Sequence, residues 1–482
     1  MGKYNYAVAC AIICSFISLI SGYVTGVMSG ANMFIQEDLK ISDEQVQLLT
    51  GIMNVCAIAG CLTAGHVSDY LGRRGTFSVA ASIFLVGSAL MSLAGSFRML
   101  MAGRCVTGVA VGYALSTAPV YVAEISPAMV RGSLSCIPEI SINLGILTGY
   151  VANYFLGSLP LVYGWRVMLG LSALPSAVFA VGAVFLPESP RWLVMHGRVD
   201  EALAVLQQLC AVGEEAQVLW SEAAAPEGRT GSLSVWREMF LHPTPPVRRM
   251  LVAGVGVLFF QHLSGINGVQ LYSARVFKTV GIASRNEILA TNIGMGLTKT
   301  LFVLAAVIFV DRVGRRGLYL SSLTGVIVSL SCLGLSLTVI GHSKPNANKD
   351  APWPWAAIAS VFAFVASFSI GLGPITGVYS SEVIPLRLRA QGVGVGVAFN
   401  RVTNATVALT FICLSDAITM GGAFFLFGFL SVGAATFFYF FCPETQGRPL
   451  EEIEEVFSQS WRERQHNVHS PYFPRVRHSQ MR

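Results

Sequence analysis

Charged residues are scarce in this sequence. Asp, Glu, Lys and Arg make up only 12% of its 482 residues, whereas they make up roughly 25% of an average soluble domain. Hydrophobic residues account for 53%, and the mean hydropathy is +0.61. The composition therefore excludes an ordinary soluble domain and predicts a protein whose solvent is lipid.

Signatures of covalent and metal chemistry are missing as well. The ten cysteines show no paired spacing, which argues against a disulfide framework and against a zinc site. The sequence contains no glycine-rich phosphate loop followed by lysine, no nucleophile elbow and no metal-ligand spacing. We therefore expect neither an enzyme nor a cofactor. We expect no nucleic-acid partner either, because the basic tail is interpreted as a solvated end.

Long apolar runs are abundant instead. A helix needs about 20 mostly apolar residues to cross the hydrocarbon core of a bilayer. The abundance of glycine, with 48 residues, also suits membrane helices that approach closely. The pattern predicts an all-α membrane protein with twelve transmembrane helices. They lie near residues 7–30, 48–66, 76–95, 100–122, 134–156, 166–186, 250–273, 289–310, 318–341, 354–380, 391–415 and 422–441.

One long polar break divides these spans into two groups of six. The predicted organisation is a first six-helix half (1–186), a helical linker (187–249), a second six-helix half (250–441) and a tail (442–482). Most Lys and Arg residues outside the spans fall on the side that holds both termini, which predicts cytoplasmic termini, linker and tail. We expect a multi-pass monomer in the lipid bilayer of the plasma membrane.

Short polar patterns of the first half recur in the second half, in the same order and at nearly constant spacing. The matched segments are 69–74 with 311–316, 124–131 with 382–389, and 187–189 with 443–445. Three ordered pairs indicate that the two halves are structural repeats of each other.

The repeated segments combine carboxylates with arginines just beyond the ends of spans. Bidentate Arg–carboxylate bonds could tie neighbouring helix ends together there, whereas solvated helix caps would need no such bonds. The repetition favours a cytoplasmic latch that holds one arrangement of the halves and breaks in the other. The candidate latch residues are Asp69, Arg73, Arg74, Glu124, Arg131, Glu188, Arg191, Asp311, Arg315, Arg316, Glu382, Arg389 and Glu444.

Four motifs carry a family resemblance. They are Gly-His-Val-Ser-Asp-Tyr-Leu-Gly-Arg-Arg at 65–74, Pro-Glu-Ser-Pro-Arg-Trp-Leu at 187–193, Gln-His-Leu-Ser-Gly-Ile-Asn at 261–267 and Pro-Glu-Thr-Gln-Gly at 443–447. Together they resemble the sugar-porter branch of the major facilitator superfamily over nearly the whole chain, and segments 121–127, 298–300, 379–382 and 386–392 are most similar to plant polyol/monosaccharide transporters.

The resemblance implies a mechanism as well as a fold. It implies alternating access, in which two six-helix halves rock around one carbohydrate held near the midplane. Relatives of this kind are usually proton symporters, although facilitators occur too.

The seventh span offers a set of side chains suited to sugar hydroxyls. Recognition of a carbohydrate needs hydrogen-bonding groups that converge inside an otherwise apolar cavity. Gln261, His262 and Asn267 lie around a Ser-Gly pair that could locally unwind the helix. Gln261 and Asn267 match sugar-binding positions of the family. Polar contacts between helices are the alternative role for these three residues.

Two ionisable residues lie inside predicted spans where the family carries neutral ones. Glu139 takes the position of a substrate-binding glutamine in the fifth span, and Lys299 that of an asparagine in the eighth. A charge at a helix centre costs at least ~2.5–3.5 kcal/mol, so both are candidate ligands. They could face each other across the cavity; near a span end, Lys299 would instead snorkel to the interface.

The eleventh span adds two amides. Asn400 and Asn404 share a helix face, whereas Arg401 points elsewhere. Both amides match family cavity positions and complete the predicted ligand set. Aromatic walls could come from Tyr272, Phe259 and Tyr379, which could equally be helix packing.

Two positions depart from the family pattern. Val24 stands where the family carries the aspartate thought to bind the proton, although Arg104 is kept at the position of its arginine partner. Gly377 stands where the family carries a tryptophan lid. Three interpretations follow: an uncoupled facilitator, coupling moved to Glu139 with Lys299 or Arg104 as counter-charge, or a transport-inactive sensor. We favour a proton-coupled transporter of a polyol or monosaccharide.

Overall fold

The computed structural model describes residues 5–126, 131–209, 236, 238–239, 241–282, 284–342, 352–385, 388–445 and 457, and the side chains of 131, 132, 311, 312, 389 and 390 lie outside the description. Every regular element among the described residues is a helix, which confirms the predicted all-α class. The long helices of the first half are Asn5–Leu39, Asp43–Ser92, Phe97–Ile125, Ile137–Leu156, Leu161–Gly170 and Ala173–Gly182.

The second half continues the pattern with shorter segments. Its helices are Pro245–Leu263, Ile266–Leu271, Ser273–Val280, Arg285–Val313, Arg315–His342, Trp353–Ser367, Gly373–Val383, Arg389–Ile418 and Met420–Phe441, with a π-helical turn at Phe368–Leu372. Shorter elements elsewhere are the helices Arg131–Leu134, Pro190–Met195 and Val199–Gln208 and the 3₁₀ turn Ala183–Phe185.

The twelve predicted spans are all present. Ten helices of the described residues are long and apolar enough to cross a membrane by themselves or as continuous pairs. One of them, Asp43–Ser92, has 50 residues and contains two predicted spans that meet at a kink. The polar fifth span is the 20-residue helix Ile137–Leu156. The structure therefore has the spans that the hydropathy predicts, most of them extended beyond their apolar runs.

Two glycines with positive φ make the sharpest turns between spans. Gly72 has φ 80° and Gly314 has φ 87°, a region that side chains with a Cβ disfavour. Each glycine directly precedes an arginine that begins the next span, Arg73 or Arg315. The duplicated Gly-Arg-Arg pattern therefore builds the same turn in both halves.

Each half has its own hydrophobic core. One cluster of buried residues is drawn from positions 7 to 209 and the other mainly from positions 247 to 457. Large apolar side chains on the outside of the bundle stay exposed, for example Phe185 at 79% and Phe429 at 74%. A belt of this kind is suited to lipid rather than water.

Two pairs of spans make most of the contact between the halves. The second span packs against the eleventh, where the Gln47 amide donates to the Leu409 carbonyl at 2.5 Å. The fifth span packs against the eighth, where Gly296 lies against Tyr150. We call the end of the bundle where the helices begin at Asn5 and end at Phe441 the terminal face, and the other end the opposite face. The linker helices lie on the terminal face, because the Trp192 indole donates to the Asp69 carbonyl at 2.9 Å.

Candidate substrate-binding site

The seventh span is broken at the place that its glycine predicts. Helix Pro245–Leu263 ends at Ser264, and Gly265, with φ 80°, starts the segment Ile266–Leu271. A Cβ at Gly265 would also lie 2.6 Å from the Phe427 ring, so both conformation and space require glycine. The break brings the predicted ligands before it and after it to one side of the helix axis.

Gln261 joins three spans of the second half. Its amide nitrogen donates to the Gly373 carbonyl of the tenth span at 3.0 Å. Its amide oxygen accepts from Asn400 of the eleventh span at 2.9 Å. Asn400 also donates to the Leu258 carbonyl at 2.7 Å. The structure therefore brings these two predicted ligands into direct contact.

His262 links Asn267 to an arginine that the sequence analysis set aside. Arg401 Nη2 lies 3.0 Å from His262 Nε2, and His262 Nδ1 lies 2.6 Å from the Asn267 amide. A guanidinium only donates, so Nε2 accepts and the imidazole is neutral with its proton on Nδ1. The Asn267 amide satisfies that proton when it turns its oxygen towards Nδ1.

Arg401 is the centre of this network. It also donates to Asn400 of its own span and to Asn54 of the second span, at 2.5 and 3.5 Å. The expectation that Arg401 points away from the ligands is wrong. A short side chain at this position would point away, because it follows Asn400 by one residue on the helix. The arginine side chain is long enough to bring its guanidinium back around the helix. Its contact with Asn54 carries the network from the second half to the first.

Lys299 and Glu139 lie near this network without touching each other. Lys299 is 7% exposed, and its Nζ lies 3.3 Å from Gln270 Oε1 and 5.9 Å from the centre of the Phe368 ring. Glu139 accepts from Asn143 at 3.2 Å. Its carboxylate is nonetheless the acidic group whose charge acts on both Lys299 and Arg401. Burial near Phe368 makes the snorkelling alternative for Lys299 inapplicable.

Two amide oxygens near this network are buried without a hydrogen-bond partner in the described structure. They belong to Asn404, the remaining predicted ligand of the eleventh span, and to Asn143 of the fifth span. An unpaired buried acceptor costs free energy, about 1–3 kcal/mol, so such groups are suited to a ligand that donates hydrogen bonds. Polyhydroxy compounds carry donors of this kind on every carbon.

A cavity lies between the halves on the terminal side of the network. Its walls are apolar and come from the fourth, seventh, tenth and eleventh spans. Gly377 lines it, and a Cβ there would meet no atom within 4 Å. The missing tryptophan has therefore left open space. The lining residues are Pro119, Val120, Ala123, Leu258, Gly377, Ser380, Ser381, Val393 and Val397.

The tyrosines considered as aromatic walls are packing residues. The Tyr272 hydroxyl donates to the Ala408 carbonyl at 2.6 Å, and the ring stacks on Phe411. The Tyr379 hydroxyl donates to the Pro443 carbonyl at 3.2 Å. Phe259 packs edge-to-face on the neighbouring Phe260. These rings leave the cavity without the stacking surface that tryptophan would supply.

Arg104 lies apart from the substrate network. It is 0% exposed, and its Nε donates to the Leu49 carbonyl at 3.4 Å. No carboxylate charge of the described residues acts on it. Val24 is also buried, at 1% exposure. The two predicted coupling residues, Glu139 and Arg104, are therefore not joined in this structure.

The terminal face carries the duplicated ionic motif. In the first half, Arg73 donates to both oxygens of Glu124 at 2.9 and 3.0 Å and lies 3.5 Å from Asp69. Glu188 accepts from the backbone N–H groups of Arg73 and Arg74 at 2.8 and 3.3 Å, which caps the helix that starts there. Burial raises the pKa of the Asp69 carboxyl, against the opposing effect of the Arg73 charge.

The second half repeats this arrangement. Arg315 lies 3.2 Å from Glu382. Glu444 accepts from the backbone N–H groups of Arg315 and Arg316 at 3.0 and 2.9 Å. Each set of bonds lies within one half. Between the halves at this face, the described side chains form one hydrogen bond, from Gln391 to Asp69 at 3.2 Å.

The remaining predicted latch residues are Arg191, Arg131, Asp311 and Arg389. Arg191 makes no ion pair with another described residue. The side chains of Arg131, Asp311 and Arg389 lie outside the described residues.

The opposite face carries ion pairs between the halves that the sequence analysis missed. Arg275 lies 3.5 Å from Asp43 of the first half and 3.0 Å from Asp416 of its own half. Arg285 pairs with Glu37 of the first half and lies 4.8 Å from the centre of the Phe34 ring. Unlike the terminal-face motif, these charges have no repeated pattern to mark them. They join the two halves at the opposite face.

Comparison with known proteins agrees with this architecture. Residues 10–457 match the family described as "Sugar (and other) transporter". The chain is 47% identical over 474 residues to "Probable polyol transporter 6" of Arabidopsis thaliana, covering 95% of each chain, and 48% identical over 471 residues to "Probable polyol transporter 3" of the same plant, covering 94% of this chain and 91% of that one.

A solved structure shares the fold. The major facilitator superfamily proton:xylose symporter XylE bound to 6-bromo-6-deoxy-D-glucose superposes with a TM-score of 0.81 at 26% identity, over 95% of this chain and 99% of that one. The twelve spans in two halves define a major facilitator transporter. The chain belongs to the sugar transporter family of that superfamily, and it is a membrane transporter rather than an enzyme.

Proposed function

We propose that this transporter carries a polyol or a monosaccharide by alternating access. The observation that carries the proposal is the hydrogen-bonded network at the break of the seventh span, which combines polar groups of four spans beside a cavity between the halves. The relatives named as polyol transporters support a polyol as the substrate. The proposed ligands are Glu139, Gln261, His262, Asn267, Lys299, Asn400 and Asn404.

Arg401 belongs to the same proposed site as a positioning residue. It holds His262 and Asn400 on one side and Asn54 on the other. A substrate that draws hydrogen bonds from His262 or Asn400 would alter the bonds that Arg401 makes to Asn54 in the other half. Occupancy of the site is thereby linked to the contact between the halves.

The ion pairs of the opposite face and the cavity on the terminal side support a state of the transport cycle that is closed at the opposite face and open at the terminal face. With the opposite face closed, substrate can exchange only with the terminal face. We take that face as cytoplasmic, since the excess of Lys and Arg outside the spans lies on it. A monomer in the plasma membrane is the simplest arrangement consistent with these features.

Proton coupling is proposed to use Glu139. The family acid is replaced by Val24, and Glu139 is the carboxylate whose charge acts on both cations of the network. Protonation of Glu139 would remove that charge and release Lys299 and Arg401 to the substrate hydroxyls. The second candidate is an uncoupled facilitator, which Val24 favours.

Expression in oocytes tests both parts of this proposal. A panel of polyols and hexoses is applied while radiolabel uptake and intracellular and extracellular pH are recorded. We expect uptake of at least one polyol together with extracellular alkalinisation. In Glu139→Gln the alkalinisation should vanish while downhill exchange remains, whereas Glu201→Gln in an exposed linker helix should behave as wild type.

Other outcomes discriminate clearly. An uptake rate that does not change with external pH or with an uncoupler identifies an uncoupled facilitator. The absence of uptake for every compound, with the protein present at the cell surface, contradicts the transport proposal and favours the sensor.

A further inference from the structure

Arg104 carries a buried positive charge with few hydrogen-bond partners among the described residues. Its side chain is 0% exposed. The Nε atom has a single, long hydrogen bond, at 3.4 Å to the Leu49 carbonyl. Both terminal nitrogens, Nη1 and Nη2, are buried and have no hydrogen-bond partner among the described residues. A guanidinium cannot lose its proton inside a protein, so this cation stays charged.

The other buried cations show what Arg104 is missing. Arg73, at 3% exposure, has two bonds to Glu124. Arg315, at 7%, lies beside Glu382. Lys299, also 7% exposed, donates a hydrogen bond to Gln270 and is stabilised by the negative charge of Glu139. For Arg104, no described carboxylate plays such a role.

Snorkelling to the membrane surface does not resolve the anomaly. Arg104 lies seven residues inside helix Phe97–Ile125, which corresponds to about 10 Å along the axis at 1.5 Å per residue. A guanidinium that reached the surface would show exposed nitrogens, and these show none. An uncompensated charge at this depth is unfavourable, and the described residues supply no counter-charge for it.

We propose that Arg104 binds a small inorganic monovalent anion, such as chloride, inside the first half. The two free nitrogens form the forked donor pair that arginine offers to anions. The surroundings limit its size. A Cβ on Gly103 would lie 2.6 Å from Met91, and one on Gly87 would lie 2.3 Å from Thr107, so the third and fourth spans are in close contact around Arg104. Close packing of this kind favours a small anion over an organic one.

This anion site is separate from the proposed substrate site. The hydrogen bond of Arg104 goes to the Leu49 carbonyl and not to the substrate network. Glu139 acts on both Lys299 and Arg401, whereas no described carboxylate acts on Arg104. The anion would be a resident counter-ion that stabilises the first half, rather than a transported substrate. Its binding can therefore be measured without any carbohydrate and without transport.

Thermal unfolding of the purified full-length protein in lipid nanodiscs tests the proposal. Sodium chloride is compared with sodium methanesulfonate at equal ionic strength, because methanesulfonate is larger and has a bulky methyl group. Ligand binding to the native state raises Tm, and an increase of about 3 °C or more is expected with chloride. Sodium bromide should act like chloride. Equal Tm values in chloride, bromide and methanesulfonate would overturn the proposal.

A matched pair of variants assigns the effect to this site. Val24→Asp supplies an internal carboxylate at the position where the family carries the partner of this arginine, so Tm should become independent of chloride. Val24→Asn has nearly the same shape without the charge and should keep the dependence. If Val24→Asp does not fold, Arg104→Gln removes the cation and should also abolish the chloride effect. A chloride effect that persists unchanged in the charge-altering variant contradicts the assignment.

Discussion

The two faces of the transporter use their charges in opposite ways. At the terminal face, the Arg73–Glu124 bonds of the first half are matched by the Arg315–Glu382 bond of the second. At the opposite face, Arg275 and Arg285 pair with acids of the other half, and no equivalent pairs repeat them. The duplicated charges bind within a half, whereas the described ion pairs that join the halves are made by charges without a duplicate.

This difference suggests two roles: bonds within a half act as a scaffold, and bonds between halves act as a gate. A bond within a half keeps its geometry when the halves rock as rigid bodies, so it stabilises each half in every state. A bond between halves exists in only one state and therefore biases the equilibrium. The duplicated motif fits a scaffold with one crossing bond, from Gln391 to Asp69. The unique pairs of the opposite face fit the gate.

The largest effect is expected from Arg73→Ala. Its side chain and that of Glu124 are only 3% and 11% exposed, and removal of one partner of a buried pair destabilises by about 3–5 kcal/mol. We expect a fall in the Tm of the purified protein and little protein at the cell surface. Thermal unfolding in nanodiscs and surface labelling measure both.

Two comparisons sharpen this result. Arg315→Ala should cost less, because Glu382 is 23% exposed and water screens the pair. Arg198→Ala removes an exposed ion pair with Glu201 and should leave Tm unchanged. If Arg73→Ala were as stable as Arg198→Ala but altered the balance between conformations, the terminal-face motif would be a gate after all.

A smaller effect on conformation is expected from Arg275→Ala. Asp43 and Asp416 are 60% and 61% exposed, so the pairs with them contribute about 0.2–1 kcal/mol each. Loss of Arg275 should shift the population towards opening of the opposite face by a few-fold. Hydrogen–deuterium exchange of residues 266–280 should speed up accordingly, and high salt should produce the same change in wild type.

The control for this prediction is Arg248→Ala. This residue lies exposed at the terminal face, so its loss should leave exchange in residues 266–280 unaltered. Equal exchange in Arg275→Ala and Arg248→Ala would show that the ion pairs do not hold the opposite face closed.

The fold was predictable from the sequence because lipid imposes long apolar runs and because duplication repeats motifs. The same duplication revealed the terminal-face ion pairs. The gate was not predictable, since Glu37, Asp43, Arg275 and Arg285 are isolated charges near helix ends or on a short helix, and their pairing depends on how two separate halves meet. No short sequence pattern specifies which charges of the two halves pair with each other.

The proposed site was predictable in part. Gln261, His262, Asn267 and Asn400 form one network, as the motifs suggested. Arg401 was missed because helix periodicity describes where Cβ points and not where a long side chain ends. The sequence nevertheless contained a sign of its role, because an arginine inside an apolar span is a functional candidate whatever the direction of its Cβ.

The smallest effect is expected from Gly377→Trp, which tests whether the substrate lies next to the cavity on the terminal side of the network. A Cβ at this position meets no atom within 4 Å, so a larger side chain has room to extend from here towards the cavity. An aromatic face against the C–H groups of a sugar or polyol should add about 0.5–1.5 kcal/mol, which corresponds to a KM about 2- to 10-fold lower. Uptake kinetics in transporter-deficient cells measure this, and Gly377→Ala is the matched control that adds bulk without a ring and should keep the wild-type KM. A KM that stays the same in Gly377→Trp, with normal surface expression, would mean that the substrate does not reach this part of the cavity and that the space left by the missing ring lies outside the transport path.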